Sequence, residues 1–138
     1  MASNKPMIRH LAIITLDPER LAKFYCDTFQ MERLKTPGAS GSKAVYVTDG
    51  YITLALLENK AEGKPTGLNH FGFQVQDQDE IAELIGNNGG KRPVKRPADR
   101  AFAETRGTDP DGNNFDLSVK GYDEREIAAA NKKEPARV

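Results

Sequence analysis

Leu68-Asn69-His70-Phe71-Gly72-Phe73-Gln74-Val75-Gln76-Asp77 decides the fold, because the chain carries the same pattern once before. Sixty residues earlier stands Ile8-Arg9-His10-Leu11-Ala12-Ile13-Ile14-Thr15-Leu16-Asp17. Each stretch holds a histidine near the start of an apolar run and an aspartate at its end. Alternation of side chains predicts a strand in each, over residues 7–16 and 68–76. An aspartate then opens a helix. Asp17-Pro18-Glu19 supplies an N-cap, a proline at the first helical position and an acid in the first turn. Leu21, Phe24, Tyr25 and Phe29 follow at helical spacing, so the helix runs to about Phe29. The shift of sixty also lays Leu21 on Ile81, Ala22 on Ala82 and Phe24 on Leu84 without a gap.

Residues 44–48 and 51–58 read as two strands around a tight turn at Asp49-Gly50. In the second copy a helix begins at residues 79–85 and closes on Asn87-Asn88-Gly89-Gly90. Strands over 102–108 and 114–119 then flank Asp109-Pro110-Asp111-Gly112. These halves align one residue further on: Leu54 falls on Phe115, Ala55 on Asp116 and Leu56 on Leu117. The two Asp-Gly pairs, Asp49-Gly50 and Asp111-Gly112, match within one residue of that alignment. A third strand per copy is expected at residues 33–35 and 91–95. The repeat predicts an α+β fold of two β-α-β-β-β modules, residues 7–58 and 68–119, joined by a polar linker over 59–67. The modules form one domain, residues 1–120, in a cupped mixed sheet with the helices outside. Residues 121–138 are a C-terminal extension, with a short helix over 123–131 and a charged tail.

Composition narrows the function. A chain of 138 residues is one domain's worth. Its 20 basic and 20 acidic side chains balance, which argues against a nucleic-acid partner. One cysteine excludes a disulfide framework and a Cys-rich zinc site. The longest apolar runs, such as residues 52–57, fall far short of the ~20 needed to span a bilayer, so no membrane partner is expected. The polar start, residues 1–6, lacks the apolar core of a signal peptide, and a cytoplasmic location is expected. With only two histidines in the chain, their positions become the main clue to chemistry.

Strand alternation sorts the side chains into two faces. Leu11, Ile13, Val45, Val47, Ile52, Leu54, Leu56, Phe71, Phe73, Val75, Phe115, Leu117 and Val119 form an apolar face that should meet the helices. The other face carries His10, Tyr46, Thr48, Thr53, Ala55, His70, Gln74, Phe102, Glu104, Arg106, Asp116 and Ser118. Rings, hydroxyls and carboxylates with few lysines suit a cavity lining rather than a solvated face. A lone histidine there would be read as a core residue. Two at repeat-equivalent positions, with a costly mid-strand aspartate on the same face, point to a metal site of His10, His70 and Asp116. Two imidazoles and one carboxylate are the facial set of non-haem Fe(II), with positions left for substrate and O₂. The fourth repeat-related position is Ala55, which cannot ligate, so a closed structural site is not expected.

The stretches Ile8-Arg9-His10-Leu11-Ala12-Ile13, residues 17–30 with Phe24-Tyr25, Asn69-His70-Phe71-Gly72-Phe73, and Thr108-Asp109-Pro110-Asp111-Gly112-Asn113 before Phe115-Asp116-Leu117 carry a resemblance. The chain resembles the vicinal oxygen chelate superfamily from about residue 7 to 119. That superfamily includes glyoxalase I, bleomycin- and fosfomycin-resistance proteins, methylmalonyl-CoA epimerase and extradiol dioxygenases. The resemblance implies a divalent metal held at His10, His70 and Asp116, a small-molecule substrate and a homodimer. Asp116 stands where the family usually has glutamate. Ala55 stands where glyoxalase I and the epimerase carry a carboxylate or amide, which turns the expectation toward three-ligand chemistry. The favoured reading is an Fe(II) dioxygenase acting on a catechol-like substrate with two neighbouring oxygens. The alternatives are a lyase, isomerase or thiol transferase using Mn, Ni or Zn, and a metal-free protein that binds an aromatic compound.

No third histidine remains for acid–base work, which leaves Tyr46, Glu104 or solvent. Thr53, Phe102 and Arg106 are the substrate-binding candidates: Arg106 for an anionic group, Phe102 (with Tyr46) for an aromatic one. Arg106 and Glu104 could equally pair with each other. Cys26 reads as a small packing residue. Lys91-Arg92-Pro93 with Lys95 and Arg96 reads as a solvated loop when not the third strand. Residues 86–90 close a helix rather than open one and are no phosphate loop.

Overall fold

The two modules build one sheet. A computed structural model describes residues 5–34, 43–60, 63, 65–96 and 103–119. The first module supplies β1 (Met7–Thr15), α1 (Pro18–Phe29), β2 (Glu32–Arg33), β3 (Val45–Thr48) and β4 (Thr53–Glu58). The second supplies β5 (Gly67–Gln74), α2 (Gln78–Asn87), β6 (Lys91–Lys95), β7 (Thr105–Thr108) and β8 (Asn114–Ser118). The eight strands lie in the order β2-β3-β4-β1-β5-β8-β7-β6. Exchanging each strand for its repeat partner gives the same order read from the other edge. Strands β1 and β5 pair antiparallel at the centre. Strand β4 runs parallel to β1 and β8 parallel to β5, and the outer pairs are antiparallel. The register repeats too, with Ala12 opposite Ala55 and Gly72 opposite Asp116.

The same local chemistry starts each module. Asp17 Oδ1 accepts from Arg20 N at 3.1 Å, and Asp77 Oδ1 accepts from Glu80 N at 3.0 Å. Each satisfies an N–H that has no partner within its helix. The turns also correspond, but not through the aspartates that the alignment matched. Asp49 Oδ1 accepts from the amides of Tyr51 and Ile52, both at 2.8 Å. Its counterpart is Asp109, whose Oδ1 accepts from Asp111 N and Asn113 N at 2.9 Å each. Asp111 sits inside the longer second turn, which absorbs the extra residue between the copies.

Both helices cover the apolar face. Ala22, Met31, Val45, Val47 and Leu56 are buried together, with Ile13, Leu21, Tyr25, Cys26 and Leu54 against them. Val75, Phe115 and Leu117 form the second core, with Phe71, Phe73, Ile81 and Ile85. Cys26 is thus a packing residue, as expected. Val119, placed on this face by alternation, lies past the end of β8 and is 43% exposed.

Several boundaries move for identifiable reasons. The strand expected from residue 51 begins at Thr53, because Asp49 takes the amides of Tyr51 and Ile52. The strand expected over 102–108 is Thr105–Thr108, and the one expected over 68–76 is Gly67–Gln74. Gly67 therefore belongs to β5 rather than to the linker. The third strands exist, as Glu32–Arg33 and Lys91–Lys95. The basic run is thus an edge strand rather than a loop. Lys91, Arg92 and Lys95 are exposed along it, and Pro93 sits at its register shift, features that keep a sheet edge from pairing further. Phe102, the loop 37–42, and the extension 121–138 with its expected helix lie outside the described residues. Among the described residues no helix is long and apolar enough to cross a membrane.

Candidate metal centre

Strands β1, β5 and β8 are consecutive in the sheet, and each contributes one side chain to the face away from the helices. Asp116 Oδ2 lies 2.9 Å from His70 Nε2 and 3.5 Å from His10 Nε2. The imidazole rings meet edge to face with centroids 5.7 Å apart. One donor atom from each of the three residues lies within 4.8 Å of the other two. All three come from one chain, so the set needs no second subunit to be assembled. His10 and Asp116 are buried, at 2% and 1% exposure.

A residue with no side chain makes this possible. Gly72 lies across from His10 on β5. A Cβ there would stand 2.1 Å from His10 Cε1 and 2.4 Å from Nδ1. The ring therefore occupies the volume that any other residue would fill. Sequence reading missed Gly72 as a site residue, although a glycine between Phe71 and Phe73 in a strand is itself a signal of close approach.

Asp116 has a further partner. Arg106, opposite it on β7, donates from Nε to Oδ1 at 2.8 Å and from Nη2 to Oδ2 at 3.4 Å. The same Nη2 stands 3.3 Å from His70 Nε2. The weighed pairing of Arg106 with Glu104 does not form. Glu104 stands just before β7, whereas Arg106 lies within it directly opposite Asp116. Glu104 instead turns toward β8 and α2, where it accepts from Ser118 Oγ, Val119 N and Gln78 Nε2.

The electrostatics follow from burial and these contacts. Burial pushes the Asp116 carboxyl up, but hydrogen bonds from His10, His70 and Arg106 outweigh it and hold the group far below the usual carboxylate range. Burial lowers His10 below its ordinary value against the pull of Asp116, and the His70 and Arg106 charges add to the lowering. His10 is thus neutral at neutral pH, the form that ligates. His70 Nδ1 lies 2.7 Å from Asn69 Oδ1, and its Nε2 faces Asp116. The contact with Asn69 holds the ring with Nε2 directed at the candidate ion position.

The remaining candidates are spread around this centre. Thr53 is the β4 neighbour of His10 and is 1% exposed. Tyr46 lies opposite Ala55 and is buried with Ala12, Leu34 and Ala55 in an apolar cluster on the first module's half of the face. Tyr46 and Arg106 are repeat equivalents, so one frame carries an apolar pair on one half and a charged pair on the other.

Nitrogen and oxygen ligands at about 2.1 Å from one ion stand roughly 3–3.5 Å apart, and the separations of 2.9 and 3.5 Å around Asp116 lie close to the two ends of that range. His10, His70 and Asp116 therefore fit a divalent cation, with Ala55 leaving the fourth repeat-related position empty of a protein donor.

A search of curated protein sequences finds no match. Solved structures do match in fold. A hypothetical protein from Bacillus halodurans C-125 superposes with a TM-score of 0.65 at 18% identity, over 83% of this chain and 94% of that one. A variant of Streptomyces coelicolor methylmalonyl-CoA epimerase, in complex with 2-nitronate-propionyl-CoA, superposes at 0.63 and 22% identity, over 85% and 97%. The epimerase from Mycobacterium tuberculosis gives 0.62 at 18%, over 80% and 85%. Likeness at these identities is one of fold. The model of the Glyoxalase/Bleomycin resistance protein/Dioxygenase superfamily matches residues 7–117, which span both modules and all three candidate ligands. The chain belongs to that superfamily.

Proposed function

We propose that the chain is a metal-dependent enzyme in which His10, His70 and Asp116 hold a divalent ion, Fe(II) being favoured, for a small substrate that chelates through two neighbouring oxygens. The observation that carries this reading is the convergence of the chain's two histidines and a buried, ionised carboxylate, with Ala55 at the position of a fourth donor. When bound, the ion supplies Lewis acidity and, as iron, reactivity toward O₂. The chain's own residues do the rest. Gly72 seats the His10 ring, and Asn69 orients His70. Arg106, partly exposed beside the ligands, offers a guanidinium to an anionic oxygen of the substrate. Tyr46 and Glu104 are the acid–base candidates, Thr53 backs His10, and Phe102 is assigned to an aromatic substrate. The reaction assigned is oxygen-dependent cleavage of a catechol-like compound, carried out by a homodimer.

Chelator-free purification should yield about one divalent ion per chain, and His70→Ala should abolish its uptake. Absence of metal from the wild type, with uptake unchanged in His70→Ala, would end this reading. Oxygen consumption by the Fe(II)-loaded protein over a catechol panel tests the reaction. Fold likeness to methylmalonyl-CoA epimerases supports a second reading, proton transfer next to a metal-held carbonyl with Mn, Ni or Zn. That chemistry consumes no O₂, so the oxygen electrode separates the two. Ligand affinity that survives exhaustive chelation would favour a metal-free binding protein over both. Tyr46→Phe and Glu104→Gln identify the proton carrier by which one lowers kcat with metal content unchanged.

A further inference from the structure

We propose that Arg106 is the metal's rival for Asp116: its guanidinium holds the carboxylate until a divalent ion displaces it, and so sets how tightly the site binds metal. This rests on the reading that His10, His70 and Asp116 form a metal site. Arg106 engages the same atoms that an ion would. Its Nη2 lies 3.4 Å from Asp116 Oδ2 and 3.3 Å from His70 Nε2, while Nε is fixed on Oδ1 at 2.8 Å. Any ion at ligand distance from His70 Nε2 lies within about 5.5 Å of that Nη2, as a like charge in a site that solvent screens little.

The two partners differ in their freedom to move. Asp116 is 1% exposed at its side chain and bound by three neighbours, whereas the Arg106 side chain is 24% exposed. The arginine is therefore the member that leaves. The repeat supports the assignment independently. In the first module the position of Arg106 is held by Tyr46, opposite an alanine. The cation stands only in the module whose cross-strand neighbour is the carboxylate. A guanidinium turned away from Asp116 regains its flat donor edge beside the ion. There it fits a carboxylate or similar anionic group adjoining the substrate's chelating oxygens, so the exchange couples metal loading to the choice of substrate.

The test titrates Mn(II) alone into the chelator-stripped full chain by calorimetry, at neutral pH, for the wild type, Arg106→Gln and His70→Ala. Arg106→Gln should bind at least about tenfold tighter than the wild type, and His70→Ala should not bind. Equal affinity in the wild type and Arg106→Gln overturns the rivalry and leaves the metal site standing. Absence of binding in both overturns the two readings together. Because losing a partner of a buried carboxylate can unfold the variant, the wild type is also followed by NMR with Zn(II). The Arg106 Nε–H resonance should shift on saturation, and its exchange with water should quicken as the bond to Asp116 is lost. An unchanged resonance at saturation overturns the proposal.

Discussion

Gly72 is the residue on which the candidate centre turns, because His10 fills the space where its side chain would be. Gly72→Ala should force the ring aside, cost about 1–3 kcal/mol of stability and weaken Mn(II) binding. Urea unfolding and calorimetry read the two effects, and unchanged metal affinity would count against the ring's placement. Strand alternation was enough to put His10, His70 and Asp116 on one face, since the face of a side chain depends only on its own strand. Gly72's role and the pairing of Arg106 with Asp116 depend on which residues lie opposite, and register is not carried by a single strand's pattern. His10 also bears on pH. Its native value is lowered, so the folded, chelator-stripped protein favours the neutral ring. The unfolded chain takes up that proton near the ordinary histidine value of 6.5. Stability from neutral His10 is therefore present above that pH and lost as pH falls, by up to roughly 1.4 kcal/mol per pH unit. Asp116 acts in the same direction further into acid, below its unfolded value of 3.8. Urea midpoints between pH 7 and 5 should fall, and should fall less steeply in His10→Gln.

At the scale of elements, the helices were the most legible part. Cap, proline and apolar spacing all act within a few residues, and Asp17 and Asp77 cap α1 and α2 alike. The edge strands were the least legible. Glu32–Arg33 is too short to show alternation, and Lys91–Lys95 is exposed along most of its length, so burial imposes no pattern on either. The second turn lies at residues 109–112 as its sequence predicts, but the aspartate equivalent to Asp49 is Asp109 rather than Asp111, a difference that only the closing hydrogen bonds reveal. The matched caps allow a test of independence. Asp17→Ala and Asp77→Ala should each cost about 1 kcal/mol. The double variant should lose the sum, since the caps lie in different modules and share no partner. Urea melts of the four proteins check this, and each should unfold in a single transition because one sheet runs through both modules.

For the whole molecule, the seam between β1 and β5 is where the repeat becomes functional. His10 stands on the first module's side of it, and His70 and Asp116 on the second's. Neither module alone has the three donors, so the centre exists only because the halves pair antiparallel at their first strands. An ion held there ties the modules across that seam. Binding to the folded state alone stabilises it by about 2.7 kcal/mol at a hundredfold excess over Kd. Zn(II) should therefore raise the midpoint of the single unfolding transition rather than split it, and EDTA should reverse the gain. Amide exchange gives the finer reading. Protection on adding Zn(II) should increase in β1 as well as in β5 and β8. Protection confined to β5 and β8 would mean that His10 is not a ligand, and that the ion belongs to the second module alone.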